Sequence, residues 1–126
     1  MEETRRILEL MFLTAWADGR FVGSEAFAIQ KLTVNIPQLR EVRSTADIDL
    51  AAKRRLEEVG LEACVRDAAA AIARPALREL AFQCCAKVGG ADGAFVARES
   101  QVLHLLREVW GFGEEDVERM LVLATR

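Results

Sequence analysis

One nine-residue motif occurs twice in this chain of 126 residues, and the two copies lie 74 residues apart. Residues 17–25 read ADGRFVGSE and residues 91–99 read ADGAFVARE, so six of the nine positions are identical. Each copy places an Asp-Gly pair at the end of an apolar helical pattern and a glutamate near the start of the next one. The repeat predicts two related αα-hairpins, over about residues 3–36 and 76–110.

The rest of the chain also follows helical spacing. Ala and Leu supply 35 residues and there are only 2 prolines, a composition that favours helix. Between the glycines the apolar residues recur at intervals of three and four, and no stretch alternates as a strand would. We therefore predict one all-α domain over residues 1–126, a compact bundle of about seven helices with two internally repeated hairpins. The predicted helices span about residues 3–17, 24–35, 47–59, 61–73, 76–88, 97–110 and 114–124.

Turn-forming residues mark several of the predicted helix ends. Ser24 is a candidate N-cap, Pro75 fits a helix start, and Gly60 and Gly111 fit helix ends. A short additional turn is expected after Pro37.

Charge and hydropathy narrow the classes of function. The 17 Lys and Arg against 20 Asp and Glu give a formal net charge of −3, which argues against a nucleic-acid-binding protein. No apolar run approaches the roughly 18 residues that a membrane span requires, and the N-terminus lacks the features of a signal peptide. We expect a cytoplasmic protein that does not insert into membranes.

The residue types that often carry catalysis are sparse. Cys64, Cys84 and Cys85 form no Cys-x-x-Cys pair and are expected to be buried thiols. His104 is the only histidine; it lies within a helical apolar pattern, and no motif places a nucleophile beside it. A di-metal helical enzyme would usually carry a Glu-x-x-His pair, but Gln101 stands where that glutamate belongs. We therefore expect no enzymatic activity.

The two motifs do contain four carboxylates at matched positions. Asp18 and Glu25 in the first copy, and Asp92 and Glu99 in the second, have the spacing of the last half of an EF-hand calcium loop. The first half of that loop is missing. Thr14 and Trp16 occupy the places of the earlier carboxylates in one copy, and Val88 and Gly90 occupy them in the other. One loop alone therefore cannot form a full calcium site.

The two motifs, with the segment WGFGEEDV at residues 110–117, strongly resemble the TerB-like family over most of the chain, from about residue 7 to residue 121. That family includes tellurite-resistance proteins and the N-terminal domain of a membrane-anchored DnaJ-like co-chaperone. The resemblance implies a bundle of about seven helices around two related hairpins and a role in bacterial stress responses, and no enzymatic activity follows from it. It also implies a divalent-metal site, whose matching positions here are Asp18, Glu25, Asp92 and Glu99.

Two hypotheses about the acidic loops remain open from the sequence. In the first, the hairpins bring their turns together, and the four carboxylates bind a divalent cation, with calcium or magnesium favoured by the oxygen ligands. The protein is then a cation-binding stress-response module that also docks an unidentified protein. In the second, the carboxylates only lock the turns, and the chain is a metal-free adaptor or a homodimer.

Overall fold

A computed structural model of the chain describes residues 2–42, 45–91 and 97–124, and describes residues 97 and 98 by their backbone only. These ranges contain seven helices and no strand, which confirms the predicted all-α bundle. All but one of the predicted helices match the observed bounds to within one residue. The helices are α1 (Glu2–Trp16), α2 (Gly23–Asn35), α3 (Ala46–Val59), α4 (Leu61–Ala70), α5 (Pro75–Gly89), α6 (Ala97–Trp110) and α7 (Glu114–Ala124).

Helix α1 lies at the centre of the bundle. It packs against the five helices α2 to α6, and most extensively against α5. From Ile7 to Ala15 nearly every residue is buried, because neighbouring helices cover this part of α1 on almost all sides. The hydrophobic core is thus organised around a helix that has little exposed surface in its C-terminal half.

Helix α5 provides the second central element and contains two of the three cysteines. Cys84 and Cys85 are buried and free, and Cys64 in α4 is buried as well. Burial raises the pKa of both Cys84 and Cys85 to about 12, because the thiolate cannot be solvated there. The Cys85 thiol also lies in hydrogen-bond contact with the Thr14 hydroxyl of α1. The prediction that the cysteines serve as buried apolar residues is confirmed.

The end of α4 differs from the prediction. The helix stops at Ala70 instead of residue 73. Pro75 begins α5, and the residue before a proline favours extended backbone, but this constraint acts on Arg74 alone and does not by itself end the helix three residues earlier. Arg74 has φ −73° and ψ 127°, as this constraint requires. The backbone N–H groups of Ala73 and Arg74 both donate to the carboxylate of Glu3 in α1, at 2.9 and 3.2 Å. A side chain from the first turn of α1 thus stabilises the link between α4 and α5.

Other helix ends follow the sequence more closely. Gly60 and Gly111 have φ of +88° and +68° and lie at the ends of α3 and α6, as predicted. A turn covers residues 37–41, which confirms the expected turn after Pro37. Ser24 is not the N-cap of α2: the helix begins at Gly23 and Val22 occupies the cap position.

The second tryptophan belongs to the core. Trp110, at the end of α6, is buried, and its indole Nε1 donates to the carbonyl oxygen of Ala69 at 3.1 Å. Its ring meets that of Phe112 at a centroid distance of 5.8 Å, and Phe112 in turn contacts Phe82 of α5 at 5.6 Å. These contacts fix the turn between α6 and α7 to the C-terminal end of α4.

The two helix pairs that contain the motifs follow the same spacing along the chain. Helix α5 begins 73 residues after α1, and α6 begins 74 residues after α2. The first helices of the two pairs, α1 and α5, pack directly against each other. A duplicated hairpin stays a prediction. Within the described ranges, none of the helices combines the length and the apolarity that a membrane span needs.

Candidate functional site

The first acidic loop connects α1 to α2 and begins with a tight turn. Gly19 has a φ of +83°, a conformation that glycine adopts without steric cost, and its N–H donates to the Trp16 carbonyl at 2.8 Å. The exposed side chain of Asp18 accepts a hydrogen bond from the N–H of Arg20 at 3.0 Å. This is an Asx-turn, in which the carboxylate replaces a backbone acceptor. One oxygen of Asp18 is therefore engaged by the loop itself.

Glu25 closes the other end of this loop. Its side chain is only 4% exposed, and its Oε1 accepts a hydrogen bond from the N–H of Val22 at 3.1 Å. In return, the N–H of Glu25 donates to the carbonyl of Val22 at 3.1 Å. A first-turn glutamate that binds the N–H of the cap residue satisfies a donor at the helix start and complements the helix dipole. The geometry of Glu25 therefore explains the start of α2.

Aromatic packing holds the loop against the bundle. Phe21 is half-buried and contacts Phe12 and Trp16, with ring centroids 6.0 and 5.1 Å apart. Trp16 is fixed in turn by α3: its Nε1 donates to Asp49 at 2.7 Å, and the ammonium of Lys53 lies 4.8 Å from its ring centroid. Phe21 thus points inward and anchors the loop on α1. The link from Trp16 to α3 has no signal in the local sequence.

The second acidic loop is described only at its ends. Asp92 lies outside the described residues, as do Gly93 and Phe95. Glu99 lies in the first turn of α6 and is 3% exposed, so it is as deeply buried as Glu25, which precedes it by 74 positions. Both motif glutamates are therefore buried carboxylates near the N-terminus of a helix.

The four predicted metal ligands are thus only partly placed. Among the residues that the structure describes, no group of three or more His, Cys, Asp or Glu side chains is arranged to hold a metal ion. Because Asp92 is not among them, the complete set of Asp18, Glu25, Asp92 and Glu99 stays a prediction. Asp18 and Glu25 themselves have roles in the loop that require no cation.

A groove opens beside the first acidic loop and is here called the α2 groove. It has a volume of about 710 Å³, and its walls are α2, the turn over residues 37–42 and the start of α3. Phe12 and Phe21 contribute aromatic surface, and Ile29 and Val34 contribute aliphatic surface. The Arg40 Nε donates to the Val34 carbonyl at 2.8 Å and ties the turn to the end of α2. No sequence signal indicated this groove, because it depends on how far α2 and α3 lie apart.

The remaining candidate residues have ordinary surface positions. His104 is exposed on α6, as expected for a histidine on a helix face. Lys53, Arg54 and Arg55 form an exposed basic segment of α3, in which Arg55 pairs with Asp67 of α4 at 2.9 Å. This segment is therefore a solvated helix face.

Comparison with known proteins now adds to this geometry. The family model described as tellurite resistance protein TerB matches residues 4–122 of the 126-residue chain. Neither a search of curated proteins nor a search of solved structures found a match. The matched segment includes α2 to α6, all but the outer two residues of α1 and of α7, both acidic motifs and the α2 groove. The chain therefore belongs to the TerB family.

Proposed function

We propose that this protein is a non-enzymatic, cytoplasmic module of a stress response related to tellurite resistance, and that it acts by docking a partner protein. Membership of the TerB family, over residues 4–122, supports the association with tellurite resistance. Support for docking comes from the apolar surface of α2 beside the α2 groove. The first acidic loop then serves to hold that surface in place.

Helix α2 carries more apolar surface than the bundle buries. Of its apolar residues only Ile29 and Leu32 are buried, whereas Phe27 and Val34 are 66% and 61% exposed. Phe27 and Val34 are seven residues apart, so they lie on one face of the helix, about 10 Å from each other along its axis. An apolar face of this kind beside a groove is typical of protein interaction sites.

The occupant that this surface fits best is the apolar face of an amphipathic helix from the partner. In helix-in-groove recognition the inserted helix presents apolar residues one and two turns apart, and this spacing matches the distance between Phe27 and Val34 along α2. The volume of about 710 Å³ leaves room between α2 and the start of α3 for anchoring side chains. Arg40 and Thr33, which line the groove, already bond to backbone carbonyls, so much of the remaining lining is apolar.

A pair of matched variants tests the docking face. Phe27→Ser combined with Val34→Ser removes the exposed apolar stripe, whereas Val59→Ser removes a valine at the end of α3 that is 51% exposed. Proteins captured from native cell extract by each immobilised variant are identified, and the candidate partner is purified and titrated calorimetrically. We expect the wild type and the control to bind it at least about tenfold more tightly than the double variant.

Two results would contradict this proposal. Equal binding of the purified partner by the double variant would show that the α2 stripe is not the docking face. Sedimentation that shows a wild-type dimer, dissociated by the double substitution, would identify a second copy of this chain as the occupant.

The hydrogen bond from Val22 to Glu25 is the observation that supports a docking module without metal. A buried carboxylate that is already bonded to its own loop maintains the angle between α1 and α2. Glu25→Gln can keep an acceptor for the N–H of Val22, whereas Glu25→Ala cannot. We therefore expect Glu25→Ala to lower the melting temperature clearly more than Glu25→Gln does, and equally with or without chelator.

Divalent-cation binding is the second candidate function. It is favoured by the equal burial of Glu25 and Glu99 at matched positions of the two motifs, since carboxylate oxygens are the ligands that calcium and magnesium prefer. Asp92 would complete the set. Calcium, magnesium, manganese and zinc are titrated calorimetrically into the native protein and into an Asp18→Asn, Asp92→Asn variant. Heat of binding that the variant loses supports a cation site, and the lack of heat for any metal excludes it.

A further inference from the structure

A second, smaller pocket lies between α5, α6 and α7 and shares no residue with the α2 groove. Its volume is about 230 Å³. Phe82, Leu103, Val117 and Leu121 give it an apolar floor and sides. Cavities of about 150 Å³ with apolar walls hold a benzene ring, so this pocket has room for a single ring and a short chain.

One side of the pocket is polar and belongs to α6. Ser100, His104 and Arg107 all line it, and their spacing of four and three residues places them along one face of the helix. Arg107 is half-buried, and within the described residues its guanidinium forms no ion pair or hydrogen bond. A guanidinium beside an apolar cavity offers a bidentate partner to a carboxylate.

Within the described part of the chain, no acidic residue next to Arg107 in sequence or on the neighbouring helices α5 and α7 forms an ion pair with it. Glu108 pairs with Arg66 at 3.1 Å, and Glu79 pairs with Arg119 at 3.1 Å. On α7, the carboxylates of Glu114 and Glu118 are exposed and form no ion pair within the described part of the chain. The charge of Arg107 is therefore left for a ligand.

We propose that this pocket binds a small carboxylic acid with one aromatic or branched aliphatic body. The apolar body fills the space against Phe82, Val117 and Leu121, and the carboxylate pairs with Arg107 at the α6 side. Ser100 and His104 provide further hydrogen-bond donors on the same face. This site is independent of the docking face on α2.

Three probes with the same body test the proposal: phenylpropanoate, phenylpropanamide and phenylpropylamine. Each is titrated into the full chain while the proton–nitrogen correlation spectrum of the backbone is recorded. We expect phenylpropanoate to give saturating shifts confined to α5, α6 and α7, with at least about tenfold tighter binding than the amide, because one charge-assisted pair contributes that much. The amine is expected to bind more weakly than the amide.

Arg107→Gln and a matched control distinguish the contribution of the Arg107 charge to binding from that of the apolar walls of the pocket. In Arg107→Gln the preference for phenylpropanoate over phenylpropanamide should vanish, while Arg54→Gln, which changes an exposed arginine on α3, should leave it unchanged. If the Arg107 variant does not fold, the relative affinities of the three probes for the native protein still test the proposal.

The proposal is overturned by any of three results with the native protein. They are the lack of saturation up to about 10 mM phenylpropanoate, equal binding of the amide, or a preference for the amine. Shifts centred on the α2 groove instead of this pocket would also overturn it.

Discussion

The carboxylate of Glu3, in the first turn of α1, accepts the backbone N–H groups of Ala73 and Arg74 and also pairs with the Arg74 guanidinium at 2.9 Å. Ala73 and Arg74 follow Glu3 by 70 and 71 residues in the chain. The contact holds the link between α4 and α5 at the N-terminal end of the central helix. Two N–H donors of this link thereby obtain a charged acceptor.

Substitution of Glu3 tests the value of this contact. Glu3→Gln keeps the size of the side chain but removes its charge and one of its acceptor oxygens. We expect a lower melting temperature by calorimetry than for Glu2→Gln, because Glu2 is exposed and its bond among the described residues is to Arg6, one turn away. Equal melting temperatures of the two variants would show that the contact contributes nothing to stability.

The same carboxyl predicts a pH dependence. The backbone N–H groups of Ala73 and Arg74 hold the pKa of Glu3 below its usual value of 4.5. A lowered pKa in the folded state contributes stability above pH 4.5, and this stability is lost as the pH falls through the folded-state value. The difference in melting temperature between the wild type and Glu3→Gln should therefore shrink below about pH 4.5. A difference that grows on acidification would contradict this assignment.

Trp16 is expected to depend on its hydrogen bond to Asp49. Trp16→Phe removes the Nε1 donor and should lower the free energy of unfolding by about 1–3 kcal/mol, the usual cost of losing a partly buried hydrogen bond to a charged group. Asp49→Asn keeps an acceptor for the Trp16 Nε1 and serves as the mild control. Asp49→Ala has no acceptor and should therefore destabilise more than Asp49→Asn. Urea unfolding curves that rank Asp49→Ala and Asp49→Asn as equal would show that the bond is unimportant.

The two glycines of the first acidic loop should respond in opposite ways to alanine. Gly19 has a φ of +83°, so Gly19→Ala forces a left-handed conformation and should cost about 1–2 kcal/mol of unfolding free energy. Gly23 begins α2 with no heavy atom within 4 Å of an added Cβ, and Gly23→Ala should stabilise by about 0.4–1 kcal/mol. Both changes leave every carboxylate in place. Chemical denaturation of the two variants checks the sign of each effect.

The buried thiols should resist labelling in the native protein. With a pKa of about 12, Cys84 and Cys85 have a thiolate fraction of only about 10⁻⁴ at pH 8. Reaction with an aromatic disulfide reagent should therefore be more than about a thousandfold slower than for an exposed cysteine. All 3 cysteines should react promptly in guanidinium chloride. Rapid labelling of native Cys84 or Cys85 would contradict their burial.

The helices and their turns were predictable because their signals are local. Helical spacing, Gly60, Gly111 and Pro75 each act within a few residues, and the structure places them as expected. The bonds from Glu3 to the α4–α5 link and from Trp16 to Asp49 join distant parts of the chain, so no local pattern indicates them. For the same reason the sequence predicted α4 to continue to residue 73.

The acidic motif shows a different limit of prediction. A glutamate at the start of a helix meets the requirements of both a helix cap and a metal ligand, so its position in the sequence cannot distinguish them. The structure shows the capping role of Glu25 directly, because its carboxylate accepts the N–H of the cap residue Val22. The two pockets depend on the distances between helices, which residue spacing does not specify.

The different settings of the two tryptophans provide intrinsic reporters for these experiments. The chain has no tyrosine and 2 tryptophans. When the protein is excited at the long-wavelength side of the tryptophan absorption band, its fluorescence therefore comes from Trp16 and Trp110 alone. Trp16 contacts Phe21 of the first acidic loop, whereas Trp110 contacts Phe112 at the start of the α6–α7 turn. Variants that retain one tryptophan would therefore let emission distinguish an event at the first loop from one at the C-terminal helices.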